Sequence, residues 1–136
     1  VSALPEWPSA GAYRWLAACL PSTGEEAWVR DEPALVLTGS RFDAVRLPFA
    51  QAHARAAVEV FRAYGIRSAV IADPPHHAYY ALVPPDGSAP RHVRVPAPHR
   101  ADPPGAYWLP APPDGDDALC DPDSVRKLTE VSRSCL

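Results

Sequence analysis

With 136 residues, 47% of them hydrophobic and 21% charged, the chain has the material for one domain with a real core. A formal charge of −3 sets up no field that would gather nucleic acid or anionic lipid, and no apolar run approaches the roughly 18 residues that cross a bilayer. Cys19, Cys120 and Cys135 lack paired spacing, which points away from a disulfide framework and a zinc site; the expectations are a cytoplasmic address, no membrane and no cofactor.

The 18 prolines are well over twice the roughly 5% share typical of proteins and fall between apolar runs, where they stiffen loops. Ser9 is placed to cap a helix over 10–19, on which Tyr13, Leu16 and the following Leu20 repeat at helical spacing and Trp15 anchors the body; Pro21 ends it. An acidic connector over 23–32 is broken by Trp28 and Val29, read as a brief edge segment or a plug over the core. The runs 34–38 and 42–47 flank a short Gly39-Ser40-Arg41 turn, the pattern of a β-hairpin.

Pro48 opens a helix over 49–64 with Gly65 just beyond its end. Gln51, Arg55, Glu59 and Arg62 form its polar stripe, and Phe49, His53, Ala56, Ala57, Val60 and Tyr64 fill the opposite face. Residues 66–72 and 77–83 read as strands of a second hairpin, turned at Asp73-Pro74-Pro75. Short strands over 91–95 and 106–109 are kept at sheet edges by flanking prolines. Asp121 caps, and Pro122 begins, a last helix over 122–132 with Val125, Leu128 and Val131 on its apolar face. The sum is an α+β fold, an RRM-like mixed or antiparallel sheet packed by the 49–64 helix, in a single domain over 1–136.

Chemistry is sparsely marked. Asp73, His76 and His77 are the densest group of metal-ligand types, but adjacent histidines on an extended chain point to opposite sides, so a wet hairpin tip is the plainer reading. His53 on an apolar helix face and Cys19 beside one read as core residues. The sequence holds no G-x-S-x-G elbow, Walker loop or dinucleotide fingerprint. Strand alternation puts His92 and Arg94 on one face; with Arg91, Arg100, Tyr107 and Trp108 they form a candidate strip for single-stranded nucleic acid or another partner. The plain alternative is that this basic run and the acidic run Asp114, Asp116, Asp117, Asp121 and Asp123 face each other or water.

The run 34–48 (ALVLTGSRFDAVRLP), the alanine-rich helix after it and 78–85 (AYYALVPP) resemble the N-terminal domain of bifunctional primase-polymerases. With 105–113 (GAYWLPAPP) and 119–122 (LCDP), they look more closely like small proteins of high-GC Gram-positive bacteria that are reduced relatives of that domain, over roughly residues 28–125. The resemblance implies two acidic residues, two positions apart on one strand face, that jointly hold catalytic metals. Asp43 matches the first position; the second is Val45, which cannot ligate, and His92 and His99 match the family's nucleotide-contacting histidine by region only. Asp43, His76 and His77 are therefore the candidate metal or polar site, with no metal assigned. What the resemblance implies is a non-catalytic binding or regulatory domain that contacts nucleic acid. A protein-interaction or homodimerising module, suggested by four tryptophans and edge strands, is the first alternative; a metal-dependent nucleotidyltransferase completed by a carboxylate from elsewhere is the second.

Overall fold

The computed structural model describes residues 10–21, 24–47, 54–87, 89–103, 105–109 and 111–134. Their order is α1 (Ala10–Cys19), α2 (Gly24–Val29), β1 (Ala34–Leu37), β2 (Asp43–Arg46), α3 (Ala54–Ala63), β3 (Val70–Asp73), β4 (Ala78–Val83), β5 (His92–Val95), β6 (Tyr107–Trp108) and α4 (Pro122–Ser134). Ser9, Phe49, Gln51 and His53, to which the sequence assigns roles, lie outside the described residues. The fold is α+β, with helices packed on antiparallel strands around one hydrophobic cluster. Among the described residues, no helix is long and apolar enough to cross a membrane.

Local chemistry sets several elements where the sequence puts them. Gly65, at φ 79°, ends α3: its N–H donates to the Arg62 carbonyl and that of Ile66 to the Phe61 carbonyl, the paired bonds of a Schellman motif. Phe61 and Ile66 are both buried, supplying the motif's apolar contact, and Phe61 packs edge-on against Tyr79 of β4 with ring centroids 5.8 Å apart. Asp121 caps α4, its Oδ2 accepting the Ser124 N–H at 3.2 Å. β3 and β4 form the expected hairpin, turned by a 3-10 segment at Pro74–His76. His77 stands in the left-handed region at φ 50°, so β4 starts one residue later than the sequence indicates. β3 starts at Val70 rather than 66, because Ala69 at φ 64° breaks the extended run.

Two expectations are corrected. Trp28 and Val29 belong to helix α2 rather than to an edge segment; Trp28 still serves as a plug, buried with its Nε1–H donating to the Val95 carbonyl at 3.0 Å. The first hairpin does not form. β1 pairs with β5 in a two-stranded sheet, while β2 enters a second sheet of order β2-β4-β3-β6. Gly39, at φ 111°, donates to the Phe42 carbonyl in a tight turn, beyond which the two strands part into different sheets. Alternation explains the preference: Ala34 and Val36 face inward against Val95 and Val93, a better apolar match than β2, whose inward residues include the charged Asp43.

β2, α3 and β3, with β4 between the two strands, make a split β-α-β unit of the RRM-like kind. The last strand departs from that pattern, pairing with β3 instead of covering β2. Among the described residues, β2 is left as a sheet edge. Leu47 N–H bonds Tyr79, so by antiparallel alternation Val45 and Asp43 bond toward β4, while the backbone groups of Ala44 and Arg46 point out from the open side.

The β1–β5 register carries its own test. Thr38 N–H bonds Arg91, which makes Leu35 and Arg94 a non-hydrogen-bonded pair with side chains on the exposed face. A Leu35→Cys/Arg94→Cys variant should form that disulfide under mild oxidation and resist denaturation by about 2–4 kcal/mol more than its reduced form. A β1–β2 hairpin would leave these thiols apart and the variant uncrosslinked.

Candidate functional site

The open edge of β2 borders a groove of about 620 Å³ whose lining includes Thr38, Asp43, Arg46, Asp86 and Arg91. Arg91 sits just before β5, tied by its backbone N–H to Thr38 Oγ1 at 3.1 Å, and its guanidinium reaches across to donate to the outward carbonyl of Ala44. A side chain thus satisfies a backbone acceptor that a further strand would otherwise take. On the other side, the β4–β5 connection brings Asp86 over Asp43: the Asp86 N–H donates to Asp43 Oδ2 at 2.7 Å. Gly87, at φ 86°, makes this turn possible.

Asp43 is only 4% exposed, and its Oδ1 is shut from solvent with no hydrogen-bond donor among the described residues. It is covered by immediate neighbours in the surface layer rather than sunk in the deep core. A hydrogen bond shared with the Asp86 carboxyl, helped by desolvation and by repulsion between the two acids, raises the Asp43 pKa above its ordinary 3.8; the Asp86 N–H and Arg91 pull the other way. The two carboxyls are coupled, so the titration of one depends on the charge of the other.

No family model, curated protein or solved structure matches the chain.

The structure disperses the other sequence-derived candidates. Arg91 belongs to the groove. His92 and Arg94 alternate outward on β5 as expected, beside Leu35 and Leu37 of β1. Arg100 lies elsewhere, donating to Asp31 Oδ2 at 3.1 Å and to the Asp102 carbonyl at 3.2 Å. Tyr107 and Trp108 are buried, and Trp108 Nε1–H donates to the Pro96 carbonyl at 3.1 Å, so neither offers a face on which a base can stack. The basic and acidic runs do not simply oppose each other either: Asp116 accepts from Trp15 Nε1 at 2.7 Å, and Asp123 pairs with Arg126.

His76 and His77 do not converge. His76 Nδ1 is 3.0 Å from Asp73 Oδ2 and its Nε2 is 3.4 Å from Arg94 Nη1. Since arginine only donates, the Arg94 contact belongs to the tautomer that carries its proton on Nδ1, facing Asp73. His77 is exposed at the turn. Among the described residues, no three His, Cys, Asp or Glu side chains gather as a metal-ligating group. Cys19, read from sequence as a core thiol, is half-buried against the core, and Cys120 is buried within it; burial pushes them up to about 11 and about 12.

Asp86 is the residue that sequence reading missed. In Pro84-Pro85-Asp86-Gly87 it reads as a turn former, and nothing local ties it to a strand some forty positions earlier.

The raised pKa has a stability consequence. The folded state holds the Asp43 proton more tightly than the unfolded chain, so this group favours folding most below the usual carboxylate range, and the benefit is lost as pH rises through the raised value. Asp43→Asn removes this dependence and gives Asp86 an amide donor. The melting temperature of the variant minus that of the wild type should therefore increase from about pH 4 to about pH 7; a difference that decreases would mean the pair favours the doubly ionised state.

Proposed function

We propose that this chain is a non-catalytic binding domain, a reduced form of the primase-polymerase scaffold, whose ligand site is the groove along the open edge of β2. The observation that carries the reading is Asp43: a carboxylate in the lining of a groove large enough for a small molecule or a peptide side chain, beside a second acid, with one buried oxygen that lacks a donor among the described residues.

Two-metal phosphoryl transfer fits these residues poorly. Val45 provides no ligand, Asp86 adds one carboxylate, and the third His, Cys, Asp or Glu of a metal-ligating group is missing among the described residues. A nucleic-acid strip loses its stacking platform with Tyr107 and Trp108 inside the fold. A second reading, a protein-docking surface on the β1–β5 sheet, is favoured by Leu35 and Leu37, which are 53% and 54% exposed side by side with His92 and Arg94.

A screen of polar fragments followed by amide NMR tests the main reading together with a primer-extension assay in Mg²⁺ and Mn²⁺. Shifts should cluster at Thr38, Asp43, Ala44, Asp86 and Arg91, and labelled nucleotide should not be incorporated. Shifts confined to Leu35, Leu37, His92 and Arg94 would move the site to the β1–β5 sheet, and metal-dependent extension abolished by Asp43→Asn would make the protein an enzyme.

A further inference from the structure

The Asp43–Asp86 pair has a geometric peculiarity that narrows its ligand. Asp43 Oδ2 is held by the Asp86 N–H at 2.7 Å, so rotating the carboxylate to rescue its other oxygen would break that bond. Oδ1 has no donor among the described residues, and the acid beside it is an acceptor whenever it is ionised. A donor group standing between the two carboxylates would satisfy both. A proton is the smallest such group; an ammonium is a larger one and brings three N–H donors.

We propose that the Asp43–Asp86 pair binds a primary ammonium on an aliphatic stem, the chemistry shared by a lysine side chain and a small alkylamine. The inference rests on the groove being the ligand site. Its volume of about 620 Å³ far exceeds what a bare ion needs, and Ala44, Val45, Ala89 and Pro90 give it walls suited to a carbon stem. Val45 and Asp86 also line an adjoining groove of about 320 Å³, where Val83, Pro122 and Val125 extend the apolar path.

Charge favours one ammonium over a divalent metal. Arg46 and Arg91 line the same groove, and no third metal-ligating acid, histidine or cysteine joins the pair among the described residues. With both acids ionised these two arginines balance them, so an ammonium adds a single positive charge to the groove where a divalent ion adds two. The remaining ionisable groups in the adjoining groove are Arg126 and Glu130, paired with each other at 3.5 Å. The arginines stay charged throughout, so the titrating competitor is the proton on the acid pair, and amine affinity rises with pH as that proton leaves.

Amide NMR titrations with n-butylamine and with Nα-acetyl-lysine N-methylamide test this, against the Nε-acetylated form of the latter and against MgCl₂ and CaCl₂. Both amines should shift the Asp43, Asp86 and Arg91 signals to saturation, with affinity rising up to about tenfold per pH unit through the titration of the pair. Asp43→Asn, nearly isosteric, and Asp86→Asn, at an exposed position, should each weaken binding about tenfold or more. Tighter binding of the capped lysine than of butylamine would point to a peptide as the source of the amine, and equal binding to a free amine. No shifts from either amine, equal binding of the acetylated control, or saturation of the same signals by a divalent ion at lower concentration would overturn the proposal. Fragments that shift the groove signals while amines do not would sink this inference alone, leaving the groove as the ligand site.

Discussion

A strand edge that no other described strand covers is the constraint on which the site and its groove depend. β2 takes its hydrogen bonds from β4 on one side, and β6, the strand that could have covered the other, pairs with β3 instead. Exposed backbone carbonyls at such an edge must be satisfied by water, by another chain or by side chains. Here Arg91 reaches the Ala44 carbonyl and the Asp86 turn folds over Asp43. The groove follows from this partial cover, because one side chain and a turn do not fill the space a strand would.

The same edge accounts for the electrostatics. An acid on an open strand is ordinarily hydrated and unremarkable. The Asp86 turn removes water from Asp43 and supplies one N–H, but brings a second carboxyl with it, whose repulsion helps to raise the Asp43 pKa. Arg91 moderates this repulsion and is itself fixed by Thr38 and Ala44, so the positive wall of the groove is as rigid as the sheet edge. Buried Val93 and Val95, alternating with outward His92 and Arg94, anchor β5 in the core and thereby hold Arg91 at the groove.

What could be read from the sequence was what neighbouring residues decide among themselves. Gly65, Asp121 and Pro122 mark helix ends because the backbone at those positions has few other options, and the β3–β4 hairpin closes over a turn of a few residues. Alternation on β5 was legible for the same reason. The fate of the 34–38 and 42–47 runs was not: both are adequate strands, and the choice between pairing with each other and pairing with β5 and β4 is a comparison of inward faces contributed by distant segments. Tyr107 and Trp108 illustrate the converse error. Aromatic residues near a basic run suit a binding strip, but a two-residue strand at the sheet edge turned both into core. Asp43 was singled out on the strength of a resemblance, and the Asp86 that gives it chemical interest became visible only once the β4–β5 connection was folded over β2.

The direct measurement of the central claim is the titration of the Asp43 carboxyl carbon by NMR, in the wild type and in Asp86→Asn. In the wild type the titration should lie above the ordinary 3.8, and in Asp86→Asn, where the second carboxyl is gone, it should return toward or below that value. An Asp43 that titrates at or below 3.8 in the wild type, indifferent to Asp86, would mean that Arg91 and the Asp86 N–H already satisfy it and that the open edge of β2 holds an ordinary ion pair.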